Sequence, residues 1–201
     1  MSQFGPFDLY FFQSSLKPRE AGLLKIIVNA LGFQLIWFAC AFTANSAWPV
    51  NSLWIGALTL IFLCQHIYFT LKKKSEFVLI LKVAIIGWMM DTLLIQSQLI
   101  SFESSYPNKL AGIQPFWMTC LWLSLGATLN LSLAWLKKLS FLYPLIGALI
   151  GTFSYYAGDR LSVLHFQSTL SILLTSLFWG LVLPILILLA TDESSRSTSQ
   201  P

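Results

Sequence analysis

Nine of the twelve Lys and Arg residues of this chain stand at alternate ends of six long apolar stretches. The stretches run Leu24–Thr43, Val50–Leu71, Phe77–Ile100, Phe116–Leu136, Phe141–Ala157 and Leu170–Ala190. Most are near the ~20 residues that carry a helix across ~30 Å of hydrocarbon, and only the fifth is short. One set of flanks holds Lys17, Arg19, Lys25, Lys72, Lys73, Lys74, Lys137, Lys138 and Arg196, the other only Lys109 and Arg160. Cationic residues collect in cytoplasmic loops, so this asymmetry predicts an all-α, polytopic membrane bundle of six transmembrane helices with both termini cytoplasmic. The twelfth cation, Lys82, falls inside the third stretch, within two turns of its inner end, where a long side chain can snorkel back.

Composition closes off other classes. With 56% hydrophobic and 10% charged residues, the chain is far from the ~25% charged content of soluble domains. Its net charge of +4 comes from the flanks, without a basic face or zinc-finger spacing, so nucleic acid is not an expected partner and membrane lipids are. Cys40, Cys64 and Cys120 all lie in apolar stretches without CxxC spacing, which predicts packing thiols and neither disulfide nor metal site. Residues 1–23 read as an interfacial or disordered lead-in and not a signal peptide, because the charges follow the apolar part. The domain is expected over 24–190, with a disordered cytoplasmic tail over 191–201. The connecting links are short, forcing antiparallel neighbours and leaving no room for a separate extramembrane domain. Pro184 falls mid-way along the last stretch and predicts a kink.

Function is then a question of which polar groups remain in the hydrocarbon. A carboxylate at mid-span costs roughly 2.5–3.5 kcal/mol on insertion scales, so Asp91 in GWMMDTLL is the leading candidate. It lies about 21 Å from the inner edge at ~1.5 Å per residue. Asn29, Gln34 and Asn130 belong to an inner polar layer together with Gln65 and His66; Ser154, Tyr155 and Arg160 belong to an outer one. An Arg160 stem reaching inward would offset the burial of Asp91; pairing with the adjacent Asp159 is the alternative. In PLIGALIGTFSYYAGDR the small residues Gly147, Gly151, Ser154 and Gly158 recur every three or four positions, the pattern of a close helix contact. Ala84, Gly87 and Asp91 on the third stretch and Gly126 and Asn130 on the fourth follow the same spacing, so these three faces are expected to converge.

His66 and His165 are the only histidines, no HExxH or serine–base pair is present, and the sequence implies no cofactor and no recognisable catalytic motif. The segments NALGFQLIWFA, GWMMDTLL, FWMTCLWLSLGATLNLSLAWL and IGALIGTFSYYAG, with Asp91, Thr128-Leu129-Asn130 and Ser154 to Gly158 as the most specific parts, resemble an uncharacterised family of small bacterial inner-membrane proteins (domain of unknown function, number 2878). The resemblance implies a multi-pass protein of the bacterial inner (cytoplasmic) membrane. Its members often stand near lipid-modifying genes such as those for cyclopropane-fatty-acid synthases, which implies envelope lipid metabolism. Three functions follow: an accessory or scaffold protein with a membrane-associated partner, a carrier of a lipid or small amphiphile in a polar-lined cavity, and an intramembrane enzyme using Asp91.

Overall fold

The computed structural model describes residues 18–44, 52–71, 73–102 and 112–196. Its helices are α1 (Pro18–Ala44), α2 (Ser52–Phe69), α3 (Lys73–Gln96), α4 (Phe116–Gly126), α5 (Tyr143–Ile146), α6 (Thr152–Arg160) and α7 (Thr169–Arg196). Three of them are long and apolar enough to cross a membrane: α1 over Gly22–Phe42, α3 over Lys73–Gln96 and α7 over Thr169–Glu193. Large apolar side chains such as Leu35, Leu60, Ile61, Leu149, Leu181 and Leu188 stand exposed around the outside, as on a surface that faces lipid. Most of the N-terminal segment expected over 1–23, and the end of the tail, lie outside the described residues. The boundaries nevertheless shift: residues 18–23 belong to α1, and residues 191–196, expected in a disordered tail, continue α7.

The fourth stretch does not form one long helix. After Gly126 the chain turns through residues 127–133 and resumes as a 3₁₀ helix at Ala134–Lys138. Thr128, Asn130 and Ser132 offer the backbone local or distant side-chain partners in place of the helical ladder, and Thr128 Oγ1 donates to Leu125 O at 2.6 Å. The fifth stretch is also irregular: α5 runs through a π turn at Gly147–Gly151 into α6. That widened turn frees carbonyls, and Ser176 Oγ of α7 donates to Ala148 O at 3.1 Å. At the opposite end of the bundle from Lys25 and Lys73, two short strands pair antiparallel, β1 (Ile100–Phe102) and β2 (Leu164–Phe166), with Ser101 opposite His165. The sequence predicts loops there.

The small-residue stripe packs as expected on one side, but against a different neighbour. A Cβ on Gly147 would stand 2.3 Å from Trp179 O and 2.8 Å from Leu183 Cβ, and one on Gly151 would stand 2.1 Å from Trp179 Cδ2. The fifth stretch therefore docks its glycines on α7, while α3 and α4 dock on each other through Gly87 against Trp122 and Gly126 against the Ile80 backbone. Gly158 faces Val163 and Leu164 instead. The wide Trp179 ring explains the difference, since only a glycine face lets the π turn lie over it.

These contacts rank the glycines by what their neighbours can yield. Gly147→Ala meets backbone and should lower stability by about 1–3 kcal/mol, read as a lower melting temperature in detergent. Gly22→Ala meets nothing within 4 Å and should be neutral or slightly stabilising through helix propensity. Equal melting temperatures for the two variants would remove the close α7 contact.

Candidate functional site

Two polar centres lie inside the bundle, both on the buried face of α3, which carries Glu76, Leu79, Val83, Gly87, Asp91 and Leu94. The upper one is built around Asp91, which is fully buried. Trp122 Nε1 of α4 donates to Asp91 Oδ2 at 2.6 Å, and the Tyr155 hydroxyl of α6 donates to Oδ1. Trp122 stacks on Trp179 with centroids 5.0 Å apart and planes 12° apart, and Tyr155 meets the same Trp179 edge-on at 5.9 Å. Gly87 makes room for this cluster, because a Cβ there would stand 1.9 Å from Trp122 Cδ2. Asp91 thus ties α3, α4 and α6 together within an aromatic shell that stacks on α7.

The lower centre is built around Glu76, also buried, at the end of the bundle where α1 and α3 begin and α2 ends. Its Oε2 lies 3.2 Å from His66 Nε2 and its Oε1 accepts from Asn130 Nδ2 at 2.7 Å. Asn130 Oδ1 in turn accepts from Lys137 Nζ at 2.5 Å, and the same ammonium reaches Ala190 O of α7 at 3.2 Å. Partial burial pushes the Lys137 ammonium down from the ordinary lysine range, and the charge of Glu76 opposes that. The His66 side chain is 2% exposed, and its Nδ1 has no hydrogen-bond partner among the described residues. Beside this network a second link joins α3 to α7, where Lys82 and Ser75 both bond Glu193.

A cavity of about 230 Å³ opens against the lower centre. Leu24, Val28, Phe62, Phe69 and Leu131 form its apolar wall, and Lys25, Asn29, Gln65, His66, Glu76 and Asn130 its polar one. A second cavity, about 30 Å³, lies beside Trp37, Ser154 and Tyr155. Asp91 lines neither of these two.

The expected site residues are thereby divided. Asp91 and Tyr155 come together, as the depth argument implies, and Ser154 is one residue away, accepting from Trp37 Nε1 at 3.0 Å. Asn29 and Asn130 belong to the lower centre and not to the surroundings of Asp91. Asn29 Nδ2 donates to Ala127 O at 3.1 Å and its Oδ1 accepts from Ser132 Oγ at 2.6 Å, so it clamps the break in the fourth stretch. Two residues fall outside the polar core. Gln34 is exposed on α1, because the inward face of that helix carries Asn29, Ile36 and Cys40. Arg160 is exposed at the end of α6, and the oxygens of Asp91 are engaged by neutral donors, so no guanidinium supplies the compensation. Asp159 turns instead to Phe166 N at 3.3 Å and to His165 at 3.7 Å. Lys82 reaches the inner end, where it meets Glu193.

Glu76, Lys137 and Glu193 are the members that sequence reasoning passes over. A signal for Glu76 exists: stepping back from Ala84 by four residues gives Ile80 and then Glu76, the same stripe that leads forward to Gly87 and Asp91. Among the described residues no group of three His, Cys, Asp or Glu side chains is placed to hold a metal ion.

No curated protein and no solved structure matches the chain. The family model described as protein of unknown function (DUF2878) matches residues 26–185, a stretch that includes Asp91, Tyr155, Glu76, His66 and Asn130, while Leu24 and Lys25 of the cavity wall lie just before it. The chain belongs to this family.

Proposed function

We propose that the chain is a six-span protein of the bacterial cytoplasmic membrane, with both termini in the cytoplasm, that binds and carries a lipid or small amphiphile. The observation that carries this reading is the 230 Å³ cavity, with an apolar wall from α1 and α2 on one side and the His66–Glu76–Asn130 network on the other. A wall of that kind suits a molecule that is itself divided into an apolar and a polar part. At this size, below the ~300–1,000 Å³ of sites that enclose a drug-sized ligand, the cavity suits a head and its first carbons, with the tail in the surrounding lipid. An accessory role in envelope lipid metabolism, beside a membrane-associated partner, fits the same site, since a bound amphiphile can be passed to a lipid-modifying enzyme.

The alternative in which Asp91 performs chemistry has less support. Its two oxygens are engaged by side chains of two other helices, the Trp122 indole N–H and the Tyr155 hydroxyl, which is the arrangement of a tether between helices.

The binding reading is tested with purified protein in detergent micelles and an environment-sensitive fluorescent fatty acid. Saturable binding is expected, falling at least tenfold in Val28→Trp, which fills the cavity, and unchanged in Leu60→Trp on the exposed outer face of α2. Absence of saturable binding, or equal loss in both variants, would sink it. For Asp91→Asn, the amide nitrogen cannot accept from Trp122 or Tyr155, so one buried donor loses its partner at about 1–3 kcal/mol. A lower melting temperature with amphiphile binding retained is expected; normal stability with binding lost would return Asp91 to the centre of function. For the topology, single cysteines at Ser162, Ser75 and Ser140 in a background lacking Cys40, Cys64 and Cys120 separate the two faces. External labelling of Ser162 alone is expected, and labelling of Ser75 from outside would overturn the orientation.

A further inference from the structure

We infer that the cavity selects an anionic head, a phosphate or carboxylate, held by Lys25 at the mouth with Gln65 and His66 beside it; this rests on the amphiphile-binding reading above. The argument is an inventory of which polar groups have capacity left. Asn29 is spent on both sides, its amide on Ala127 O and its carbonyl on Ser132. Asn130 is spent on Glu76 and Lys137, and Thr70 donates to its own helix at His66 O. Both oxygens of Glu76 are engaged, by His66 and Asn130. Among the described residues, what remains on the polar wall is the Lys25 ammonium, which lies 5.8 Å from the Phe69 ring centroid, the exposed Gln65 amide, and the unpartnered Nδ1 of His66.

Charge counting points the same way. Glu76 carries one negative charge, and Lys137 and Lys25 carry one positive charge each, so the lower centre has a cation to spare at the cavity mouth. Lys73, with its ammonium 6.0 Å from the Tyr68 ring centroid at the end of α2, adds to the positive field at that end of the bundle. An ammonium head would find its natural partner, Glu76, 94% buried and already bonded twice. An anionic head meets a lysine with three N–H donors, whose contact among the described residues is an aromatic ring and not an acceptor oxygen. In its doubly protonated form the His66 ring can bond Glu76 through Nε2 while offering Nδ1–H to the ligand.

The experiment compares single-chain amphiphiles of different heads on the full-length protein in neutral detergent micelles: oleate, lysophosphatidylglycerol, lysophosphatidylcholine and a dodecyltrimethylammonium salt. Oleate and lysophosphatidylglycerol are expected to bind at least tenfold more tightly than the other two. Lys25→Gln should erase most of that preference, Lys25→Arg should retain it, and Gln65→Leu should weaken the anionic ligands severalfold. Rising salt should weaken the anionic pair and leave the zwitterion alone. Inorganic phosphate is the second probe: competition with oleate only at many millimolar assigns the site to a lipid head, whereas competition at micromolar concentration assigns it to the free anion. If all four heads bind equally and Val28→Trp abolishes each, the anionic selectivity fails while the binding function stands. If none binds saturably, the function itself fails. Preference for the quaternary ammonium overturns the inference in favour of Glu76 as the recognition group.

Discussion

The architecture of the lower half depends on one side chain, Asn29, and its hydrogen bonds to the broken fourth stretch. Backbone groups released from a helix in apolar surroundings each need a new partner, at several kcal/mol if they find none. Asn29 supplies an amide donor to Ala127 O and an acceptor to Ser132, closing the turn over residues 127–133 from the outside. With the turn held, Asn130 is presented to Glu76 and the 3₁₀ helix brings Lys137 back to Asn130 and to α7. A regular helix through 127–136 would carry Asn130 and Lys137 seven residues apart on one face and leave them no turn to fold over. The break is therefore what converts a set of separate polar residues into a network, and the cavity forms along its open side.

Asp91 solves the other half of the same problem with different chemistry. Its neighbours are an indole N–H and a phenol O–H, neutral donors on large apolar bodies, so the carboxyl group is satisfied without importing a second charge. The stacked Trp122 and Trp179 rings then make the polar bonds and the apolar packing parts of one object. Gly87 and Gly151 are the spaces that admit those rings. One centre is buried among aromatic rings; the other borders a cavity and has an imidazole nitrogen without a hydrogen-bond partner among the described residues. In the proposed reading, this contrast gives Asp91 a structural role and the surroundings of Glu76 the ligand contact.

Much of this was legible in the sequence where periodicity and burial cost carry the information. The apolar stretches, the depth of Asp91, the small-residue face from Gly147 to Gly151 and the nearness of Tyr155 all follow from spacing and hydropathy. The partners were not legible, because spacing places a residue on a face of its own helix and says nothing of which helix turns toward it. Arg160 was a reasonable counter-ion on charge alone, yet two aromatic donors from α4 and α6 occupy the carboxylate. Gln34 shares a helix with Asn29, but five residues on an α-helix is about 500°, which carries it well off the inward face. The break after Gly126 escaped notice because its stabilising partner, Asn29, is nearly a hundred residues away in sequence. Glu76 was hidden by its setting: beside Lys72, Lys73 and Lys74 it reads as an ordinary solvated flank residue.

The position of the cavity at the cationic end gives the lysines a second consequence. In the proposed orientation, the residues that hold the chain's direction in the membrane also raise the positive potential over the site where an amphiphile would enter from the inner leaflet. In that reading Lys25 belongs to both roles, standing in the first helical turns of the orienting flank and lining the cavity, where its ammonium lies 5.8 Å from the Phe69 ring centroid. An anionic lipid drawn to the surface by the flank would then be presented to Lys25, the lysine among the described residues that lines the cavity. Asp91, by contrast, lines neither of the two cavities described above. On this proposal, entry and capture fall to one end of α3 and helix cohesion to the other, and the division follows from which end carries lysine and which carries tryptophan.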